Sequence, residues 1–271
     1  MNAPSKLFPA PNLDAVNTAL GSLAAAFSIR WVEECASTNS ALLASLPKND
    51  GRVHVLVTSK QNAGRGRRGR QWLTWPGASL TFSVLWRFAQ NVHTHAGLSL
   101  AIGLALAQAL EKLGLRAVAL KWPNDLLVRG AKLSGILVEA SPEPDRSTAV
   151  VIGIGLNLCL PADAVIPNQA GGATDLAREL GFMPERETLL AAVLSELHLT
   201  LTNYARTGFG PLRDAWQRRN AFANLPVQVI GEGYSVSGLC LGVDENGTLL
   251  VQCGTEVCRV FAGDVSVRPI S

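Results

Sequence analysis

Apolar residues recur at two different periods along this chain. Leu13, Val16, Leu20, Leu23 and Phe27 keep helical spacing and predict one helix over residues 12–27, ahead of the first extended stretch. Residues 79–88 alternate instead, with Leu80, Phe82, Val84, Trp86 and Phe88 on one face, the pattern of a half-buried strand. Leu98, Ile102, Leu106, Ala109 and Leu113 return to helical spacing, with Gly114 as the stop. Residues 117–121, 125–140 and 148–158 then predict strands, the middle stretch being a hairpin reversed near Arg129-Gly130. Leu189, Val193, Leu197 and Leu201 stripe a helix over 186–204, and residues 211–219 predict a shorter one ending in Gln217-Arg218-Arg219. Helices and hairpins mixed without regular βαβ alternation favour an α+β sheet domain over a doubly wound parallel one.

After Asn224-Leu225-Pro226 the texture changes to short β segments, VQVI, GLCLGV, TLLVQC and VCRVF, broken by Asp244-Glu245-Asn246-Gly247. A small β-barrel of about 45–50 residues is the expected architecture there, which divides the chain into residues 1–222 and 223–271. One helix before Arg30 leaves no room for a three-helix DNA-reading module. With 271 residues and 48% hydrophobic content the chain can bury a full core. Its 24 basic and 21 acidic residues nearly balance, so any charge argument must rest on local clusters. The five cysteines, Cys35, Cys159, Cys240, Cys253 and Cys258, are scattered without C-x-x-C spacing and suit a reducing cytoplasm. The opening Met1–Lys6 stretch lacks an apolar signal region, and no run of about 20 apolar residues follows, so a soluble, unexported protein is expected.

Five segments carry candidate chemistry. Gly64-Arg65-Gly66-Arg67-Arg68-Gly69-Arg70, followed by Gln71-Trp72, offers glycine backbone N–H groups and forked guanidinium donors to an anion; it also reads as a disordered basic loop or an RGG-like strand binder. Val53–Thr58 and the strand from Ser79 flank it, which places the loop over a site. Trp72 is suited to stacking on a purine or to plain packing. Lys121-Trp122-Pro123-Asn124-Asp125 is either a strand-end turn or a carboxylate and an amide meeting a cation, as phosphates with Mg²⁺ require. Lys132-Leu133-Ser134-Gly135 sets a lysine, solvated or gripping a carboxylate, beside a glycine that lets a ligand approach the backbone. Ser37-Thr38-Asn39 are helix caps, or donors and acceptors for a neutral polar head such as a ureido ring. Val150–Leu158 is a buried strand whose Asn157 closes a turn or reaches a nucleotide.

Together, Ser37-Thr38-Asn39, Gln61 to Trp72, Lys121 to Asp125, Lys132 to Gly135 and Gly153 to Asn157 resemble the biotin protein ligase family, in that family's order and over about residues 30–160. The resemblance implies a catalytic domain related to class II aminoacyl-tRNA synthetases with a mixed sheet, followed by a small SH3-like β domain. It implies biotin, ATP and Mg²⁺, and joining of biotin through biotinyl-5′-AMP to a lysine on a biotin carboxyl carrier protein of acetyl-CoA carboxylase or a related enzyme. Ser37, Thr38, Asn39, Gln61, Arg65, Gly66, Arg67, Lys132, Gly135 and Gly155 are thereby expected around biotin or its adenylate, with Lys132 and Arg67 catalytic. Arg70, Trp72, Asn124 and Asn157 are expected toward the nucleotide, and Asp125 toward Mg²⁺. Many members begin with a DNA-binding repressor module; with none ahead of Arg30, no repressor role, no DNA or membrane partner, and a monomer or weak homodimer are expected. Lipoate ligases share the architecture but not, in this form, the arginine loop.

Overall fold

The computed structural model describes residues 10–75, 77–89, 96–164, 166, 171–231, 233–263 and 265–270, so the Met1–Lys6 opening lies outside the described residues. Asn12 caps α1 (Leu13–Leu20) by accepting from the backbone N–H groups of Asp14 and Ala15. The helix expected over residues 12–27 is shorter than its periodicity, because Gly21 takes a positive φ of 57° and a 3₁₀ turn over Gly21–Ala26 follows. Phe27 belongs instead to β1 (Phe27–Cys35) and is buried there.

α2 (Thr38–Ser45) leads to β2 (Val53–Gln61), β3 (Ser79–Phe88) and α3 (Ala96–Lys112). Strands β4 (Val118–Lys121), β5 (Asp125–Val128), β6 (Ala131–Pro142) and β7 (Thr148–Asn157) complete a seven-stranded sheet in the order β1-β2-β3-β7-β6-β5-β4. Only the β1–β2 pair is parallel, so the sheet is mixed. The expected reversal at Arg129-Gly130 is present, with positive φ at both residues, 50° and 83°, as a two-residue hairpin turn needs.

β3 is not half-buried. Its alternating apolar face meets the main core with α3, while Leu85 on the other face joins Leu42, Leu56, Ala149 and Val151 beneath α2. Ser79, Thr81 and Ser83 on that second face are buried as well, and Arg87 at its far end is partly buried in an ion pair with Glu143. Alternation along β3 therefore separates a greasy face from a hydroxyl face, not a buried face from a wet one.

α4 (Leu176–Leu180), α5 (Arg186–Thr207) and α6 (Arg213–Gln217) follow. The 211–219 stretch splits into a 3₁₀ turn over Gly210–Leu212 and α6, which stops at Gln217. The second sheet is antiparallel, in the order β11-β10-β9-β8-β12, from β8 (Pro226–Ile230), β9 (Ser235–Val243), β10 (Leu249–Cys253), β11 (Glu256–Val260) and β12 (Ser266–Pro269). The short β12, with one buried apolar residue, Val267, gives no periodic signal and was not expected. Trp122 joins the sheets: its indole is buried and its Nε1–H donates to the Gly247 carbonyl at 3.0 Å. Among the described residues no helix is long and apolar enough to cross a membrane.

Replacing Trp122 by Phe keeps most of the packing and strands the Gly247 carbonyl. A loss of about 1–2 kcal/mol is expected, read as a lower urea midpoint with an unchanged slope.

Candidate active site

The hydroxyl face of β3 is extended sideways by glycine. Ser83 pairs with Gly153 and Thr81 with Gly155 on β7, and Gly155 pairs with Gly135 on β6. Paired residues point to one side of a sheet, so apart from Thr81, Ser83 and Leu137 this part of the face carries no side chain. A cavity of about 320 Å³ stands on it. The missing volume is used by neighbours: a Cβ at Gly153 would sit 2.4 Å from Asn39 Oδ1, and one at Gly155 2.2 Å from the Trp72 ring.

The end of α2 forms one wall. Ser37 caps the helix through its Oγ, which accepts from the Ser40 N–H at 3.4 Å. Thr38 donates its backbone N–H to Gln61 Oε1 at 2.7 Å, and its hydroxyl lies 3.1 Å from the same oxygen. Ser83 Oγ lies 2.6 Å from Thr38 Oγ1 and 2.5 Å from Asn39 Oδ1. These residues form a connected relay of neutral polar groups.

The arginine-rich segment is a closed hairpin, not a loose loop. Trp72 N–H donates to Gly64 O at 2.9 Å, and Arg65 pairs with Gln71. Gly66 N–H is taken by Arg70 O at 2.7 Å, so this backbone N–H serves the loop's own closure where an anion contact was expected. Arg68 and Gly69 turn the tip with φ of 59° and 65°. Gly64 is required by proximity, since a Cβ there would stand 2.3 Å from the Trp72 carbonyl oxygen.

The arginines diverge in their partners. Arg65 pairs with Glu139 at 2.8 Å and donates to Ser40 Oγ at 3.2 Å. Arg67 donates to the backbone carbonyl of Gly263, in the β11–β12 connection, at 2.5 Å. The Trp72 ring lies within 5.8 Å of Lys132 Nζ and reaches over Gly155.

At the other end Lys132 and Asp125 form a half-buried ion pair at 2.6 Å. Lys121 lies close by, and burial holds its pKa below the usual 10.5; Asp125 opposes the shift, while Lys132, Arg70 and Arg268 add to it. Lys121, Lys132 and Arg70 thus line the same cavity as a single carboxylate, Asp125. Asn124 Nδ2 donates to Ile136 O at 2.7 Å and Asn157 Nδ2 to Thr174 O at 3.0 Å, so both amides hold the wall's backbone. Among the described residues no group of three His, Cys, Asp or Glu side chains comes together, and Asp125 is the one carboxylate lining the cavity.

Every residue expected to meet biotin, the nucleotide or Mg²⁺, from Ser37 to Asn157, lines this one cavity. Thr81, Lys121 and Val265-Ser266-Val267 line it too and had been given no role. Thr81 was legible as the polar half of the β3 alternation. Lys121 sat in a noted segment, but nothing local indicated its burial. The Val265–Val267 contribution depends on how the second sheet folds back, which no local pattern encodes.

Residues 32–157 match the model of the Biotin/lipoate A/B protein ligase family. The bifunctional ligase/repressor BirA of Escherichia coli K12 is 36% identical over 213 residues, covering 78% of this chain and 65% of that protein. The biotin–[acetyl-CoA-carboxylase] ligase of Mycobacterium tuberculosis is 35% identical over 243 residues, 86% of each chain. The structure of the Aquifex aeolicus biotin protein ligase in complex with biotin and ATP superposes with a TM-score of 0.79 at 27% identity, covering 90% of this chain and 99% of that one. The chain belongs to the biotin protein ligase family. It spans about two thirds of the length of the bifunctional relatives.

Because Lys121 holds its proton less tightly when folded, stability should rise with pH between its folded pKa and 10.5. Lys121→Met should therefore stabilise the protein at neutral pH, by an amount that shrinks as the pH approaches the lysine's ordinary value. Urea unfolding of both proteins at pH 7 and pH 10 reads this difference.

Proposed function

We propose that this chain is an ATP-dependent biotin protein ligase that forms biotinyl-5′-AMP and transfers biotin to a lysine of a biotin carboxyl carrier protein. The observation that carries the reading is one cavity with two unlike ends. A neutral hydrogen-bonding relay of Thr38, Asn39, Gln61 and Ser83 suits an uncharged ureido head. The cations Lys121, Lys132 and Arg70, lining the cavity with Asp125, suit a carboxylate and phosphates. The relatives' names and the biotin and ATP in the Aquifex aeolicus complex support the same assignment.

In this reading a biotin carboxylate oxygen attacks the α-phosphorus of ATP, the bond to the β-phosphate oxygen breaks, and pyrophosphate leaves. Lys132 orients the carboxylate and offsets charge growing on the phosphate, exchanging part of its contact with Asp125 for the substrate. The carrier's neutral lysine amine then attacks the activated carbonyl, AMP departs with the electron pair, and the nitrogen gives up one proton to solvent. Asp125 would offer one oxygen to a Mg²⁺ carried in on the polyphosphate, where the ion would neutralise phosphate charge. The arginine hairpin, with Trp72 toward the nucleotide, would cover the anhydride and keep water from hydrolysing it. Gly135 and Gly155 would seat Lys132 and Trp72 against the floor where bare backbone was expected to meet substrate, Gly66 would keep the hairpin close to it, and Asn124 and Asn157 would set the nucleotide wall.

The fold reading that accompanies this function is a class II synthetase-like catalytic unit over residues 1–222 and an SH3-like unit over 223–271. No repressor activity is proposed for these 271 residues, since the described stretch before β1 forms one α-helix and a 3₁₀ turn. Incubation with biotin, MgATP and a carrier domain, followed by intact mass of the carrier, tests the activity. Lipoate in place of biotin, read by pyrophosphate release, separates the two substrate classes; release with lipoate alone would refute the biotin assignment.

Lys132→Ala should lower adenylate formation at least about tenfold, the value of one charge-assisted contact, and normal pyrophosphate release would overturn its role. Arg67→Gly should release the adenylate into solution faster than the parent protein does. Equal retention in a filter assay would contradict the covering role.

A further inference from the structure

Glu139 follows the cavity-lining Gly135 and Leu137 on the same face of β6, one step beyond the lining itself, and the reaction above gives it no task. We propose that Glu139 is a positioning residue that sets the direction of the floor's hydrogen-bond relay, so that Thr38 turns only lone pairs toward a ligand N–H. The inference rests on the biotin reading of the cavity and adds to it the origin of selectivity for a head group that donates.

The case is made by counting protons. A carboxylate only accepts hydrogen bonds. Glu139 Oε2 lies 2.9 Å from Asn39 Nδ2, and the Leu137 carbonyl oxygen lies 3.3 Å from the same nitrogen, so the NH₂ of Asn39 faces both acceptors. Its Oδ1 is thereby turned to Ser83 Oγ at 2.5 Å, and an amide oxygen can only accept, so Ser83 places its single proton there. The 2.6 Å contact between Ser83 Oγ and Thr38 Oγ1 then needs the Thr38 proton, and Gln61 Oε1 is served by the Thr38 backbone N–H at 2.7 Å. What Thr38 has left for the cavity is acceptor capacity alone.

Arg65 holds the start of this chain. Its Nη2 meets Glu139 Oε1 at 2.8 Å and its Nη1 meets Oε2 at 3.4 Å, a fork that fixes the carboxylate over Asn39. Glutamine at 139 has the same size, but its amide can present either an oxygen or an NH₂ to Asn39. Asn39 is then no longer compelled to one orientation, and each hydroxyl downstream loses its assigned direction.

The test is calorimetric binding of two ligands, biotin and a biotin methylated at its ureido nitrogens, to the full chain and to its Glu139→Gln variant. The parent should prefer biotin. In Glu139→Gln, biotin should bind about tenfold more weakly, the scale of one charge-assisted hydrogen bond, while the methylated analogue changes by less than about twofold, so that the preference contracts. An equal loss for both ligands would mean that Glu139 only supports the wall, and would overturn the proposal while leaving the ligase reading intact. Absence of biotin binding by the parent chain would instead sink the ligase reading, and this inference with it.

Discussion

The site depends on a lysine, Lys121, buried beside further cations in a cavity that has one carboxylate. Lys121, Lys132 and Arg70 line it with that single carboxylate, Asp125, which Lys132 meets at 2.6 Å, and burial lowers the pKa of Lys121. Desolvated cations short of partners are costly in the empty protein and favourable once an anion arrives. On the proposed reading, stability given up locally would be converted into affinity for carboxylate and phosphate. The large apolar core shared by α3, α5 and the first sheet carries the stability that makes this tolerable.

Two sheets take part, and neither completes the site alone. The first supplies a floor without side chains at Gly135, Gly153 and Gly155, over which Asn39 and Trp72 can lie. The second contributes Val265-Ser266-Val267 to the lining and, through Gly247, the acceptor for the buried Trp122. The Trp122-Pro123-Asn124-Asp125 turn accordingly joins structure and chemistry, with Trp122 locking the sheets, Asn124 bracing β6 and Asp125 meeting Lys132.

Periodic segments were legible in the chain itself because burial on a regular element imposes a period. The alternation of β3 and the stripes of α3 and α5 are cases where local pattern and tertiary environment agree. The first helix was overextended because the spacing of Leu23 and Phe27 continued past Gly21, whose backbone broke the helix first. β12 was missed because four residues are too few to display a period. Within the site, contiguous motifs such as Ser37-Thr38-Asn39 and the arginine hairpin were found from residue type. The roles of Ser83 and Glu139 depend on partners 44 and 100 residues away in the chain, and only folded geometry reveals them.

The seat of the arginine hairpin has an evolutionary corollary. Arg67 rests on the carbonyl oxygen of Gly263, a group that every amino acid possesses, and a Cβ at Gly263 would meet nothing within 4 Å. The identity of that residue is therefore weakly constrained by this contact, whereas the path of the chain there is tightly constrained. Related sequences are free to drift at this position but not to lengthen or shorten the connection between β11 and β12 without moving the hairpin. Selection on such a contact acts on spacing and leaves little trace in residue identity.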